Sequence, residues 1–365
     1  MRVPERSGYV LTHRFHPYPG RFHHHLARSL LGALSPSGAG VCDPFMGGGT
    51  TLVEAMLAGL PAVGSDLNPI AVLVARERTR IRTPAQAHGA NEAARRIAAR
   101  VEALRREKNS QRAPLAHLAR LAPAYQPHLL AELAQWIRLI NQTRAGPERE
   151  TLRAVFSSGA VKFSNRPSDS NPGAAPPRYP KGAVSRFFVA KCEELVREQI
   201  VLGQRVPRPP RVRVLQEDAR LLPSVGWGAC EAILASPPYP GTYDYLDQHM
   251  LRMDWLELDS DPLAAGEIGA RRREGGAAWG AAMRDALSTM ARILQPQGRL
   301  HLVLGDWMEG THPVDAGFAL RRLAQTKGWR AESSASIRRD VFSHKEKKAF
   351  AKRGKWEHLI TFVRG

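Results

Sequence analysis

The sequence predicts an α/β fold: a doubly wound, mostly parallel sheet closed by a β-hairpin, with a helical insertion in its middle. Short apolar runs alternate with helical patterns over residues 1–83, and the alternation resumes after residue 207. The last two strand patterns flank a long connection, as a hairpin does. We therefore predict an N-terminal sheet part over 1–83, a helical insertion over 84–206 and a C-terminal sheet part over 207–365.

The first strands and helices lie between Gly40 and Val72. The run "AGVCDP" predicts a short strand, "FMGGGTT" a tight turn and "TLVEAMLAGL" a helix that ends at Gly59. A second strand, "AVGSD", follows, and "NPIAVLVARERTR" begins another helix. This β-loop-α-β order brings Asp43, the three glycines and Asp66 to one edge of the sheet.

The middle of the chain has a different pattern. Three amphipathic helices are predicted, by "NEAARRIAARVEALRREK", "PHLLAELAQWIRLINQTR" and "SRFFVAKCEELVREQIVLGQ". A loop rich in Pro, Gly, Ser and Asn lies at residues 163–182 and is too long for a simple connection. We interpret residues 84–206 as an insertion into the sheet domain.

Strand patterns return from Arg211 onward. "RVRVLQEDAR" predicts a strand ending in Asp218, and "CEAILASPPYPGTYDY" a strand ending in a proline-rich turn. Helices are predicted around "HMLRMDWLEL" and up to "ARILQPQGR", followed by a buried strand, "LHLVLGD". Finally, "WRAESSASIRRD" and "KWEHLITFVRG" predict the two strands of the closing hairpin.

The charge of the chain points to a polyanionic partner. The 365 residues carry a formal net charge of +19, with 53 Lys and Arg against 34 Asp and Glu. Residues 84–210 hold 21 basic and 10 acidic residues, and so contribute +11 of this excess. Lys and Arg release counterions from phosphates, which favours nucleic acid as the partner. A genome that prefers arginine codons is the alternative explanation.

Composition also disfavours several classes of protein. No apolar stretch reaches membrane-spanning length and the first residues lack a secretory pattern, so we expect a cytoplasmic protein without membrane contact. Cys42, Cys192 and Cys230 are scattered, which argues against a disulfide framework or a structural zinc site. Five histidines, His13, His16, His23, His24 and His25, lack a completing Cys or acid, and we predict no metal.

The glycine turn suits a nucleotide-like cofactor. Glycines at the end of a strand let the backbone approach a ligand, and an acid ending the next strand can bind ribose hydroxyls. Thr50 and Thr51 stand where a phosphate-binding loop needs lysine, which excludes that class. A dinucleotide site remains possible, although the turn is not G-x-G-x-x-G and Asp43 before it would repel pyrophosphate. An acid at this place suits a cofactor that carries a cationic or amino group.

The stretch "ASPPYPGTYDY" is the second candidate site. Two prolines fix the backbone at the end of a strand, and Ser236, Tyr239, Tyr243 and Tyr245 crowd the same turn. Rigid carbonyls can accept hydrogen bonds from an exocyclic amino group, and an aromatic face can stack on a base turned out of its duplex. An ordinary proline-rich loop is the alternative.

Together these motifs resemble the amino-group DNA methyltransferases that use S-adenosylmethionine. "DPFMGGGTT", "GSDLNP" and "SPPY" carry the resemblance, and "RFHPYPGRF" (14–22) is similar to the N-terminal cofactor motif of that family. The resemblance implies a Rossmann-like, seven-stranded methyltransferase sheet. It implies catalytic roles for Ser236, Pro237, Pro238 and Tyr239. The implied cofactor residues are His16, Tyr18, Asp43, Pro44, Phe45, Gly47, Gly49, Thr50, Asp66, Asn68 and Asp218.

The resemblance also suggests a substrate. SPPY, with Ser first, is typical of cytosine-N4 enzymes, whereas adenine-N6 enzymes usually carry Asp or Asn there. None of the three cysteines follows a proline or lies in SPPY, which disfavours carbon-5 methylation. RNA base methylation and a catalytically silent nucleic-acid-binding module remain alternatives. A restriction-modification setting is expected for DNA methylation.

Two basic regions are candidates for nucleic-acid contact. The insertion 84–206 is the natural place for target recognition, with a structural cap as the alternative. Residues 338–357 carry eight basic and three acidic residues and could bind phosphates beside the catalytic turn. A solvated loop explains the second region equally well.

Overall fold

A seven-stranded sheet and a group of helices make up the computed structural model. It describes residues 11–20, 22–34, 40–107, 118–166, 178–241, 244–270, 276–341 and 344–365. Contacts divide the chain into two compact units. The helical unit takes the described parts of Met1–Pro19, Arg76–Pro207 and His249–Ser260, and the sheet unit takes those of Gly20–Ala75, Arg208–Gln248 and Asp261–Gly365. The predicted insertion 84–206 lies within the helical unit, which also takes residues from two other parts of the sequence.

The main sheet belongs to the sheet unit. Its strands are β1 (Gly40–Asp43), β2 (Ala62–Ser65), β3 (Val212–Leu215), β4 (Cys230–Ala235), β5 (Leu294–Gly305), β8 (Trp329–Arg339) and β9 (Lys355–Arg364). They lie in the order β3-β2-β1-β4-β5-β9-β8, and β6 (Trp307–Glu309) and β7 (His312–Val314) form a separate pair. The five strands from β3 to β5 are parallel, and β9 is antiparallel to both β5 and β8. The predicted closing hairpin is therefore present.

Apolar clusters cover both faces of the sheet. Neighbouring residues of one strand point to opposite faces, and accordingly Val41 and Leu234 join one cluster while Cys42 and Ile233 join the other. The helices of the sheet unit are α1 (His24–Leu31), α2 (Thr50–Leu57), α10 (Asp261–Gly266), α11 (Gly276–Ile293), α12 (Ala316–Gln325) and α13 (His344–Ala349). Of these, α1 and α2 add residues to the first cluster and α11 and α12 to the second, as expected for a doubly wound sheet.

One predicted strand is shorter in the structure. We expected β3 to reach Asp218, but it ends at Leu215. Beyond that point the backbone of Glu217 leaves the ladder, because its N–H and carbonyl both bond to the Ser65 hydroxyl, at 3.1 and 2.7 Å. Asp218 therefore lies in the loop that follows the strand.

The helical unit packs around long amphipathic helices. It contains α4 (Pro84–Arg106), α5 (Leu118–Leu121), α6 (Pro127–Gln142), α7 (Pro147–Ala160) and α8 (Ala183–Arg205), with 3-10 turns at Leu11–Arg14 and Ala122–Ala124. The helices α3 (Pro69–Arg78) and α9 (Tyr245–Leu256) contain residues of both units. A reciprocal capping box between Thr83 and Gln86 begins α4. In the described chain, no helix combines the length and the apolar character needed to span a bilayer.

Candidate functional site

The glycine turn follows β1 directly and is closed by its own hydrogen bonds. Asp43 is buried at the end of the strand, and its carboxylate accepts the Phe45 N–H at 3.1 Å. The Met46 N–H donates to the Ser65 carbonyl at 3.0 Å, which ties the turn to β2. Gly47 and Gly49 have φ of +47° and +78°, in the left-handed region that L-residues with side chains adopt at a cost. The glycines are therefore required by the backbone of this turn.

Asp66 joins the glycine turn to the start of α3. One carboxylate oxygen accepts the Gly47 N–H at 3.0 Å and the other accepts the Asn68 N–H at 2.9 Å. The Asn68 side chain in turn accepts the Ile70 N–H at 2.9 Å, as a helix cap does. The acid after β2 thus holds the Gly47 peptide of the turn, while Asp43 holds the Phe45 peptide.

Gly49 packs closely against α3. A Cβ at this position would lie 2.9 Å from the Cβ of Ala75, and the Gly49 N–H bonds to the Met46 carbonyl at 2.7 Å. Thr50 is buried and begins α2 immediately afterwards. Both a positive φ and a close contact therefore select glycine here.

Burial perturbs both carboxylates of this site. It raises the pKa of Asp43 to about 7 and the pKa of Asp66 to about 6. No lysine or arginine of the described chain forms a salt bridge with either one. A buried and a half-buried acid, neither with a salt bridge to a described lysine or arginine, are a chemical fit for a ligand that supplies hydrogen-bond donors or positive charge.

The SPPY turn lies on the neighbouring strand. Because β1 and β4 are parallel and Cys42 pairs with Ile233, Asp43 is level with Leu234. Ser236 follows two residues later, roughly 7 Å along a strand about 5 Å away. Both motifs therefore leave the sheet at the same edge and side by side.

Hydrogen bonds and packing hold SPPY in place. The Trp279 indole donates to the Pro238 carbonyl at 2.9 Å. The Tyr239 ring packs on Gly305, where a Cβ would lie 2.9 Å from the ring, and its hydroxyl donates to Glu357 at 3.0 Å. Burial raises the pKa of this hydroxyl, which keeps it protonated as a donor. Trp279, Gly305 and Glu357 are functional candidates that the sequence patterns do not single out.

Asp218 is already hydrogen-bonded and ion-paired to Arg220, two residues later in the chain. Its carboxylate accepts the Arg220 N–H at 2.8 Å and Nε at 2.9 Å, and forms an ion pair with the same guanidinium. Gly266 lies against both side chains. A ligand amine at Asp218 would share the carboxylate with Arg220.

His16 and Tyr18 belong to the helical unit, unlike the other predicted site residues. His16 is buried, bonds to Ser157 at 3.0 Å, and has a pKa lowered well below the usual value by burial and by Arg252. Tyr18 stacks on His249 with ring centroids 4.9 Å apart. Their predicted role beside a cofactor stays a prediction. Tyr243 lies outside the described residues.

In the described chain, one group of carboxylates and histidine is close enough to suggest a metal site. It consists of Asp306, Asp315 and His358. Arg353 donates to Asp306 at 2.6 Å, and the Ala316 and Trp356 N–H groups also bond to that carboxylate. Burial opposes ionisation of Asp306, but His358 and these donors lower its pKa overall. Asp306 is therefore satisfied by Arg353, His358 and two backbone N–H groups, and the group carries no metal assignment.

Comparisons with known proteins give short sequence matches. No family model matches the chain. The type II methyltransferase M.MvaI of Kocuria varians is 39% identical over 72 residues, which cover 19% of this chain and 16% of that protein. The type II methyltransferase M.MjaII of Methanocaldococcus jannaschii is 41% identical over 71 residues, 20% of this chain and 13% of that protein. The match thus spans less than a fifth of these curated relatives.

Solved structures match over more of the chain but distantly. The rRNA methyltransferase aviRa from Streptomyces viridochromogenes covers 97% of this chain and 90% of its own at 12% identity, with a TM-score of 0.36. A TehB-like SAM-dependent methyltransferase from Corynebacterium glutamicum covers 93% and 87% at 12% identity, with a TM-score of 0.33. Likenesses this distant have no bearing on function.

The strand order defines the class of fold. A parallel β3-β2-β1-β4-β5 sheet extended by antiparallel β9 and then by β8 is the arrangement of the Rossmann-like, S-adenosylmethionine-dependent methyltransferases. The predicted fold class is confirmed.

Proposed function

We propose that this chain is a DNA methyltransferase that moves a methyl group from S-adenosylmethionine to an exocyclic amino group of a flipped base. N4 of cytosine is the favoured acceptor, and N6 of adenine is the alternative. One observation carries the proposal: the acid-and-glycine turn after β1 and the SPPY turn after β4 leave neighbouring parallel strands at the same edge. Ligands of open α/β sheets bind at such an edge.

The residues around the glycine turn fit the cofactor. Asp43, Pro44, Phe45, Gly47, Gly49 and Thr50 would hold the methionine part, Asp66 and Asn68 the ribose, and Asp218 the adenine. Ribose hydroxyls and an ammonium group would add donors to these two carboxylates, whose pKa values burial has raised. When bound, the cofactor supplies an electrophilic methyl group on a sulfonium.

The SPPY turn would orient the acceptor amine. Such an amine is a weak nucleophile, because its lone pair is delocalised into the ring of the base. The Ser236 hydroxyl and the Pro237 carbonyl would accept its hydrogens and hold the nitrogen at one place, while the Tyr239 ring stacks on the flipped base. The bond from Trp279 to Pro238 supports this role, since it fixes the next peptide unit. Positioning supplies most of the rate in such a mechanism.

DNA is the proposed nucleic acid. The net charge of +19 favours a polyanion, and the curated relatives matched over short segments are type II methyltransferases. The helical segment 84–206 is the proposed target-recognition region. Replacing its exposed Arg96, Arg138, Arg144 and Lys181 by Gln tests this: weaker binding of the target duplex is expected, and unchanged binding would remove the assignment.

Isotope-labelled cofactor tests the activity. The protein is incubated with duplex DNA or structured RNA, and the product is digested to nucleosides. Label in N4-methylcytosine is expected, and label in N6-methyladenine would change the acceptor but not the class. Tyr239→Ala should lower kcat by about 5- to 150-fold through lost stacking. Phe318→Ala, which removes an exposed aromatic side chain of α12, is the matched control. Label in RNA alone, or in no nucleoside, would overturn the proposal.

A further inference from the structure

The geometry points to a phosphate-binding surface on the closing hairpin. This surface binds the DNA backbone beside the flipped base. We name it the basic hairpin patch and define it as Arg338, Lys345, Lys347, Lys348 and Lys352. The inference rests on the proposed function and adds where the duplex is held. Its support comes from position, free charge and a rigid frame.

Strand pairing puts the patch at the edge of the sheet that carries the site. Gly305, the last residue of β5, pairs with Glu357 near the start of β9, and Trp356 pairs with Arg338 near the end of β8. Because β5 is parallel to β4, these residues share an edge with Ser236. The contacts of Tyr239 with Gly305 and Glu357 connect the hairpin directly to SPPY.

The acids that the structure describes do not neutralise the charges of the patch. Residues 338–357 contain eight basic side chains, of which Arg339, Arg353 and Lys355 face the carboxylates of Glu357, Asp306 and Glu346. The other five, which form the patch, are exposed and make no salt bridge with a described acid. Five free cations at one end of a hairpin favour a polyanion.

A small folded frame holds these cations. Phe350 is buried, and Arg353 and Lys355 both lie 5.7 Å from its ring centre. Lys355 bonds to Glu346 at 2.5 Å, which ties α13 to β9, and the Gly354 N–H bonds to the Phe350 carbonyl at 2.8 Å. Binding would therefore require little ordering of the backbone.

The exposed surface around the patch also suits nucleic acid. Trp356 keeps 36% of its surface exposed and lies with Arg338 against Gly354. An indole beside a guanidinium is a combination that nucleic-acid surfaces use. Duplex DNA carries one phosphate charge per about 1.7 Å of helix axis, so several phosphates flank any base that reaches SPPY.

The test compares two variants with the same loss of charge. The patch variant replaces Lys345, Lys347, Lys348 and Lys352 by Gln. The control variant replaces Arg321, Arg322, Lys327 and Arg330, at the opposite end of β8, by Gln. Dissociation constants for a duplex DNA are measured from 50 to 200 mM salt without cofactor, after thermal melting has shown that both variants fold.

The salt slope is the slope of the logarithm of the binding constant against the logarithm of the salt concentration. We expect its magnitude to be about 2 to 4 smaller in the patch variant, and binding at 100 mM salt to be at least about tenfold weaker. The control should change binding less than about threefold. An unchanged slope in the patch variant, or an equal loss in the control, would overturn the inference. Preferred binding of a structured RNA of equal length would overturn the assignment to DNA.

Calorimetry with S-adenosylmethionine separates the two proposals. If the wild-type protein binds the cofactor and the patch variant keeps the wild-type salt slope, this inference alone is refuted. If the wild-type protein binds no cofactor but the patch variant has a smaller salt slope, the proposed function is refuted and the patch remains a nucleic-acid-binding surface.

Discussion

The hydroxyl of Tyr239 donates a 3.0 Å hydrogen bond to Glu357, a residue 118 positions later in the chain. The bond joins the SPPY turn after β4 to the third residue of β9. Gly305 of β5 lies against the Tyr239 ring. Three strands thus fix the direction of one aromatic face. A stacking platform for a base needs such a fixed face.

Removing the Glu357 side chain should weaken methyl transfer. Glu357→Ala deletes the acceptor and lets the Tyr239 ring move, and a hydrogen bond of this kind contributes about 0.5–1.5 kcal/mol. We expect kcat to fall by about 2- to 10-fold while cofactor affinity stays unchanged.

The conservative variant is the control for that effect. Glu357→Gln keeps an oxygen acceptor in the same place, so it should restore most of kcat. Equal losses in both variants would show that charge, and not the positioning of Tyr239, is what Glu357 supplies.

Trp279 should matter through its indole N–H. Trp279→Phe keeps an aromatic ring but removes the donor to the Pro238 carbonyl. We expect a lower kcat and a higher KM for DNA, with the melting temperature changed by only a few degrees. Trp329 lies in β8 and does not contact SPPY; its indole donates to the Leu287 carbonyl at 3.3 Å. Trp329→Phe should therefore leave both kinetic constants unchanged. Wild-type kinetics in Trp279→Phe would contradict the proposed role of the fixed peptide.

Gly49 should tolerate no side chain. Gly49→Ala forces alanine into φ +78° and places its Cβ 2.9 Å from Ala75. The backbone conformation alone costs roughly 1–2 kcal/mol, and the contact adds to it. Gly228→Ala, at φ +59° with open space around it, carries only the first cost. Denaturant unfolding should therefore rank Gly49→Ala as the less stable variant, and equal stabilities would contradict the packing described here.

Cofactor binding should weaken in acid. Burial raises the pKa of Asp43 to about 7, and the carboxylate that would pair with a cationic ligand is lost as the pH falls through that value. At pH 5.5 only about one Asp43 side chain in thirty is ionised. The dissociation constant for S-adenosylmethionine should thus rise roughly thirtyfold from pH 8 to pH 5.5 on account of Asp43.

Asp43→Asn separates this effect from other titrations. The variant should bind more weakly at pH 8 and lose most of the pH dependence between 5.5 and 8. A wild-type affinity that does not change over this range would mean that Asp43 acts as a neutral acceptor only.

The sequence predicts the site well where a pattern is local. The turn "DPFMGGGTT" constrains its own backbone, because Gly47 and Gly49 need positive φ. Asp43 ends β1, and Asp66 directly follows the neighbouring β2. Alternating strand and helix patterns then determine the order of the elements. The end of β3 was predicted wrongly, because the Ser65 side chain competes for the backbone of Glu217.

Partners distant in the sequence were not predictable. Glu357 and Gly305 reach Tyr239 only through the pairing of β5 with β9, and no local pattern carries that register. Trp279 had a weak signal, as a lone aromatic residue in the small-residue stretch "GGAAWGAAM". Helix α7 was also missed, although Pro147 at its first position and two glutamates in its first turn are start signals.

Titration of the protein with S-adenosylmethionine at pH 8 in a calorimeter tests the central claim most directly. We predict saturable binding of one molecule per chain in the wild type, retained in Tyr239→Ala and strongly weakened in Asp66→Asn. No binding heat across a range of temperatures, or equal binding by the Asp66→Asn protein, would contradict a cofactor site on the glycine turn.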